Sequence, residues 1–230
     1  MAEAPSAFGD IPGSAVPPRS VVFDADSTLV GIEGIDWIAA RRLPDVAARI
    51  ATLTAHAMAG LLALEEVYGA RLKAVAPTHD EVEQLASVYL AELAPGAERC
   101  VAALRAAGCR VLIVSGGLQP ALVPLAERLG IAATDVHGVG ITFDANGGFV
   151  DFDRASPLAQ QNGKAALVGR LSLPRPVVAV GDGSTDLAIR TAGAADLFVA
   201  FTGFARRDAV VRGADREVES FDALTALLLP

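Results

Sequence analysis

Ser20-Val21-Val22-Phe23-Asp24-Ala25-Asp26-Ser27-Thr28-Leu29-Val30 is the stretch that decides the fold. Ser20 to Phe23 is a β-branched and aromatic run that suits a pleated surface, and it reads as a buried strand. The run ends in two carboxylates one residue apart. In an open α/β sheet, ligands sit outside the carboxyl ends of the strands. Asp24 and Asp26 are therefore expected to enter one pocket together. Like charges this close are costly unless something positive offsets them, and a hard divalent cation such as Mg²⁺ is the natural choice. The plain alternative is an acidic turn, because Asp favours turns.

Three further stretches repeat the pattern. Val111-Leu112-Ile113-Val114-Ser115-Gly116-Gly117 is an apolar strand ending in a hydroxyl and two glycines. Glycines let backbone N–H groups approach an anion, so Ser115 and Gly116 are placed to bind phosphate, unless this is an ordinary strand-to-helix turn. No Gly-Lys-Ser/Thr follows, which excludes a P-loop. Lys164 follows Asn162-Gly163 on the first turn of an expected helix, where the helix dipole disfavours a cation and pairing with an anion would explain it. Val177-Val178-Ala179-Val180 runs into Gly181-Asp182-Gly183-Ser184-Thr185-Asp186. A dinucleotide fingerprint is incomplete there, since Asp186 stands in place of the third glycine. A metal site suits the two carboxylates better: Asp182 as direct ligand, Asp186 holding Lys164 or a metal-bound water. Asp24, Asp26 and Asp182 then converge on the metal with Lys164 as the one neutralising side chain.

These residues resemble the motifs of the haloacid dehalogenase superfamily, and most closely those of its phosphoserine phosphatases, over about residues 20–228. The resemblance implies that Asp24 is a nucleophile forming an aspartyl-phosphate, and that Asp26 is first general acid, then general base. It implies that Lys164 holds the phosphate and the nucleophilic carboxylate. The chemistry is sound, because a carboxylate can attack phosphorus when a metal and cations absorb the charge of the transferring group.

Composition sets the bounds. The chain has 230 residues, 52% hydrophobic and 20% charged, with net charge −8. That length allows one large domain with an insertion and a full core. An acidic chain disfavours nucleic acid and anionic membranes as partners. No apolar run reaches the 18 or so residues of a membrane span. Cys100 and Cys109 exclude a disulfide scaffold, read as buried thiols and suit a cytoplasmic location. Residues 1–19, with four prolines and two glycines, lack the marks of a signal peptide and read as a flexible arm. The expected partner is a small-molecule phosphate ester; oligomeric state is open, and a homodimer is compatible.

From 34 to about 93 the apolar spacing turns helical, and Thr78 with Glu81 forms a capping box opening a helix at 80–92. About sixty residues of helix exceed a single crossover. They read as an inserted helical-bundle cap over 33–94, between the parts of an α/β core at 20–32 and 95–230. In that core, helices at 97–107, 120–129, 163–171, 185–191, 205–212 and 222–229 alternate with strands at 110–114, 176–180, 197–200 and 217–219. This implies a Rossmann-like parallel sheet flanked by helices. Asn146-Gly147 signals a small β-hairpin over 140–153.

Within the resemblance, the cap selects the substrate. Ile32-Glu33-Gly34-Ile35-Asp36 is similar to the family's cap start, where the position of Glu33 faces a substrate ammonium group. His56-Ala57-Met58-Ala59-Gly60 also resembles the family, with Met58 toward the substrate, and Arg71 falls where a carboxylate-binding arginine lies. Ala59, Leu64 and Ala200 depart from the residues usual at their places. The expectation is a Mg²⁺-dependent phosphomonoesterase acting on O-phosphoserine. The alternatives are a phosphatase or phosphotransferase of the same superfamily for another small phosphate, and a non-catalytic aspartyl-phosphate signalling domain.

Overall fold

A computed structural model describes residues 17–59 and 61–229. Most of the arm expected over 1–19 lies outside these residues, as does Gly60. Pro18 and Arg19, however, are tied into the sheet. Arg19 N–H donates to the Pro176 carbonyl at 2.9 Å, and its own carbonyl accepts from Arg110 N–H at 2.9 Å. The Cys109 thiol donates to the Pro18 carbonyl at 2.8 Å. Backbone satisfaction thus begins before the first strand.

The main sheet has six parallel strands: β1 (Ser20–Phe23), β2 (Arg110–Leu118), β3 (Val136–Val139), β6 (Val177–Gly181), β7 (Leu197–Phe201) and β8 (Arg216–Val218). Their order is β3-β2-β1-β6-β7-β8. A separate antiparallel hairpin pairs β4 (Ile141–Phe143) with β5 (Phe149–Phe152). Every residue of β1, β6 and β7 is buried, because helices cover both faces of the sheet; this is why these strands read as unbroken apolar runs. Phe23 is in register with Ile113 on one side and Val180 on the other. Strand order reverses at β1, so Asp24 emerges at the topological switch point, where such sheets bind ligands.

Four helices follow β1: α1 (Gly34–Ala39), α2 (Pro44–Met58), α3 (Leu64–Val75) and α4 (His79–Ala91). The capping box is present: Glu81 N–H donates to Thr78 Oγ1 at 3.2 Å and Thr78 N–H to Glu81 Oε2 at 2.9 Å. Ile35, Ile38, Ile50, Ala57, Leu64, Tyr68 and Leu72 are buried along α1 to α3. The last of the four, α4, packs along α6 (Gln119–Arg128), a helix flanking the sheet. The remaining helices are α5 (Ala97–Ala106), α7 (Gly163–Arg170), α8 (Ser184–Thr191), α9 (Asp208–Gly213) and α10 (Phe221–Leu228). Cys100 and Cys109 are free and buried. Among the described residues, no helix is long and apolar enough to cross a membrane.

Three expectations need correction. The second strand does not end at 114 but continues through Ser115, Gly116 and Gly117 to Leu118, with its register against β3 shifting between Val114 and Leu118. Its partner β3, absent from the sequence reading, contains Gly138, where an added Cβ would lie 2.9 Å from both Gln119 Cα and the Gly117 carbonyl. Glycine read as a turn signal is here a close strand approach. The hairpin expected over 140–153 is present but its strands are shorter, β4 and β5 being joined by residues 144–148. In that loop Gly147 has a positive φ of 80°, and the Asp144 carboxylate accepts from Asn146 N–H and Gly148 N–H at 2.7 and 2.9 Å. Finally, α9 starts at Asp208 rather than 205, which leaves Arg206 and Arg207 on an extended connection.

Candidate active site

Asp24, the residue after β1, is 5% exposed. One carboxylate oxygen, Oδ1, accepts from Ala25 N–H at 2.7 Å. The other, Oδ2, lies 2.8 Å from Lys164 Nζ, which also donates to Asp186 Oδ1 at 2.7 Å. Lys164 comes from the first turn of α7 and Asp186 from the first turn of α8, so three elements meet in one buried ion triad. Burial disfavours the ammonium charge, but Asp186 and Asp24 outweigh it and hold Lys164 above the ordinary lysine range. The lysine's unfavourable place at a helix start thus has its reason: its charge faces carboxylates, not water. Asp186 also caps its own loop, accepting from Gly183 N–H at 3.0 Å.

Asp182 follows β6 and is 3% exposed. Oxygens of Asp24, Asp182 and Asp186 lie within 4.8 Å of one another. Asp182 Oδ1 has no partner among the described residues, and Oδ2 is met by the Arg207 guanidinium. Three buried carboxylates, one of them with an oxygen that no donor reaches, are the hard oxygen set that a small divalent cation takes, so these residues fit a metal. The Asp26 carboxylate is not in that cluster; it lies instead against Tyr89, whose hydroxyl donates to Asp26 Oδ1 at 2.5 Å. Burial, followed by the nearby Glu33 charge, pushes the Asp26 carboxyl well above the usual range.

Lys164 is not the only cation. Arg207, on the connection before α9, makes an ion pair with Asp182 Oδ2, and its Nη2 lies 3.6 Å from Glu33 Oε1. In sequence, Arg206 and Arg207 fall inside the helix expected at 205–212. Only the tertiary return of that loop toward β6 reveals its partners.

At the end of the sheet, Ser115 is 1% exposed and Gly117 N–H donates to its Oγ at 3.1 Å. The carbonyl of Gly116 accepts from the Tyr68 hydroxyl at 2.7 Å. From the helices, Glu33 stands at the N-cap of α1 and accepts from Ser27 Oγ at 2.8 Å; burial raises its carboxyl. Arg71, on α3, is 3% exposed. Its Nη2 donates to Asp36 Oδ1 at 3.2 Å, while its Nε has no partner among the described residues. Asp36 also accepts from Thr54 Oγ1 at 2.6 Å. Met58 ends α2 with its sulfur beside Gly183.

One pocket is lined by Asp24, Asp26, Glu33, Met58, Arg71, Ser115, Gly116 and Lys164, together with Ile35, Leu64, Tyr68, Gly117 and Thr185. Its interior volume is about 30 Å³, the share of one water in the liquid. Three contacts hold the helices down. Ser184 Oγ donates to the Ala57 carbonyl at 3.2 Å and Leu64 N–H to Gln161 Oε1 at 3.3 Å, beside the Tyr68–Gly116 bond. Tyr68, Tyr89 and Arg207 were missed from sequence. The two tyrosines sit on apolar helix faces and read as core, which they also are.

Similarity to known proteins extends over this whole arrangement. The haloacid dehalogenase-like hydrolase family matches residues 21–189. A chloroplastic phosphoserine phosphatase from Arabidopsis thaliana is 35% identical over 209 residues, covering 90% of this chain and 70% of that one. The phosphoserine phosphatase of Rattus norvegicus is 31% identical over 205 residues, 88% of this chain and 89% of the relative. A solved phosphoserine phosphatase structure, described as a phospho-aspartyl intermediate analogue, superposes with TM-score 0.75 at 26% identity, covering 92% of this chain and 99% of the other.

Proposed function

The chain belongs to the haloacid dehalogenase-like hydrolases, and from that premise we propose that it is a Mg²⁺-dependent phosphomonoesterase that hydrolyses O-phosphoserine through an aspartyl-phosphate. The observation that carries the reading is Asp24 at the switch point of the sheet, bonded to Lys164 and facing Asp182 and Asp186. A buried carboxylate surrounded by cation and metal-type ligands is equipped to attack a phosphoryl group. Relatives named for phosphoserine support the substrate.

Asp24 forms the bond to phosphorus. Asp26 gives its proton to the leaving serine oxygen, then takes one from the water that cleaves the aspartyl-phosphate. A carboxyl held well above its usual range is suited to the acid half of that task. Lys164, the Ser115 hydroxyl and the backbone N–H of Gly116 offset charge on the phosphoryl oxygens. Asp24, Asp182 and Asp186 would hold Mg²⁺, which supplies positive charge against the phosphoryl group. Helices over 33–94 act as a cap on the core of 20–32 and 95–230. Glu33 meets the substrate ammonium group and Arg71 its carboxylate, with Met58 against the carbon between them. In the closed pocket those two charges are already paired, Glu33 with Arg207 and Arg71 with Asp36. A zwitterionic substrate would replace both internal partners, which favours an amino-acid ester over a plain phosphate ester.

The test is release of inorganic phosphate from a panel of phosphate esters with and without divalent cation. O-phosphoserine is expected to give the highest kcat/KM, chelation to stop turnover and Mg²⁺ to restore it. Undiminished turnover in excess EDTA refutes the metal reading, and a better substrate without an amino-acid moiety refutes the substrate.

A further inference from the structure

On the reading that Asp26 moves the leaving-group proton, we infer that Tyr89 is a positioning residue for that proton, fixing which oxygen of Asp26 carries it. Tyr89 is fully buried on α4, and its hydroxyl donates to Asp26 Oδ1 at 2.5 Å. The phenol reaches this position because position 34 has no side chain. A Cβ there would lie 2.2 Å from Tyr89 Oη, and one at Gly117 would lie 3.4 Å away. The hydroxyl is thus inserted between two glycines, the first residue of α1 and one near the end of β2.

The helix that carries it matters too. Of the helical insert's side chains that line the pocket, Met58, Leu64, Tyr68 and Arg71 come from α2 and α3, and Ile35 from α1. Tyr89 comes from α4, which is packed along α6 beside the sheet and opened by the Thr78–Glu81 capping box. Asp26 is therefore steadied from an element anchored to the core.

The proton balance follows from the contact. Oδ1 is engaged as an acceptor, so the proton of the acid sits on Oδ2. As the Asp24 oxygen–phosphorus bond forms and the phosphorus–serine oxygen bond breaks, that proton passes from Oδ2 to the serine oxygen. The Tyr89 bond strengthens as Asp26 becomes a carboxylate, so it contributes more in the transition state than before it. In the second half-reaction Asp26 takes a proton from water as the new water oxygen–phosphorus bond replaces the one to Asp24. Tyr89 keeps its own proton throughout.

The experiment compares kcat/KM for a simple alkyl phosphate, whose alkoxide needs the proton, and for p-nitrophenyl phosphate, whose phenolate does not; neither carries the ammonium and carboxylate that Glu33 and Arg71 would meet. Tyr89→Phe should lower the first at least about tenfold, the worth of a hydrogen bond to a charged group, and the second less than about threefold. A core-filling role alone lowers both equally or neither, and either result overturns the proposal. Gly34→Ala provides a second route, because its methyl displaces the hydroxyl while the tyrosine stays. It should give the same alkyl-selective loss in the wild type and little further loss on top of Tyr89→Phe, the non-additivity expected of one shared interaction. If Tyr89→Phe fails to fold in a thermal melt, the Gly34→Ala ratio decides. Asp26→Asn separates the two levels. An alkyl-selective loss there without one in Tyr89→Phe sinks the Tyr89 assignment and leaves Asp26 as the acid. Equal losses on both esters from Asp26→Asn sink the acid and Tyr89's role with it.

Discussion

The end of the sheet and the helices above it both bring charges to one pocket, but they hold them by different means. At the sheet, Asp24, Lys164, Asp182 and Asp186 come from the first residues after strands or the first turns of helices, and Asp24, Lys164 and Asp186 are bound to one another. Each is positioned by backbone that the parallel register fixes. In the helical insert, Arg71 of α3 is held by Asp36 of α1, and Glu33 pairs with Arg207 from the core; a substrate would replace both partners. The sheet end is thus built to keep its charges in one place, and the insert to exchange partners. On the function proposed above, catalysis belongs to the first region and selection to the second.

The sharpest break of this comparison is at the nucleophile. Asp24→Asn should lower turnover of every phosphate ester by more than about 10⁴-fold, since loss of a nucleophile removes the covalent route altogether. Mass spectrometry of rapidly quenched protein should show the phosphoryl adduct in the wild type and none in the variant. Activity of a few per cent, with reversion to Asp excluded by the same spectrum, would move the nucleophile elsewhere.

Next in size is Lys164→Met, which leaves Asp24 and Asp186 buried without their cation. Removing one partner of a buried charge cluster costs about 3–5 kcal/mol. Urea unfolding in the presence of EDTA should therefore show a large loss of stability as well as of activity. A variant as stable as the wild type would mean that the triad is catalytic furniture only, and that the sheet end is no more rigid than the insert.

The insert answers to a different experiment. Glu33→Gln and Arg71→Ala should each lower kcat/KM for O-phosphoserine at least about tenfold, given that losing one partner of a desolvated charge pair costs about 2–5 kcal/mol. On p-nitrophenyl phosphate, which has neither ammonium nor carboxylate, both should keep most of their activity. Equal losses on the two esters would make Glu33 and Arg71 supports of the helical packing and erase the division between regions.

The same division explains what could be read before any coordinates. Asp24, Asp182 and Lys164 were legible because an apolar run followed at once by acids, glycines or a misplaced lysine is a local pattern. Asp36 as the partner of Arg71, Arg207 as the partner of Asp182 and Tyr89 on Asp26 were not, because each contact joins segments 25 to 63 residues apart and each side chain fits a blander local role. The extension of β2 through Gly116 and Gly117 was lost for a related reason. Glycine marks both turns and close approaches, and only the neighbouring strand tells them apart.

The smallest effect is expected where the insert meets its anchor. Arg42, after α1, bonds the Glu81 carboxylate through Nη1 and Nη2 at 2.7 and 2.6 Å, and Glu81 also closes the capping box of α4. Those bonds, Arg42 first, hold the Glu81 carboxyl below its ordinary value. A carboxyl depressed in the folded state contributes stability above its unfolded pKa, near 4.5, and that contribution is lost as pH falls through the lower folded value. The pair is partly solvated, with side-chain exposures of 24% and 15%, so it is worth only about 0.2–1 kcal/mol. Glu81→Gln should thus lower stability slightly at pH 7, and the gap should close as the wild type is titrated below pH 4. Urea unfolding of both proteins at the two pH values measures it. Because Glu81 lies at the start of α4, away from the pocket, the ratio of kcat/KM between O-phosphoserine and p-nitrophenyl phosphate should not change. A shifted ratio would show that anchoring of α4 feeds into selection, and the boundary between the two regions would have to move from α4 to the sheet itself.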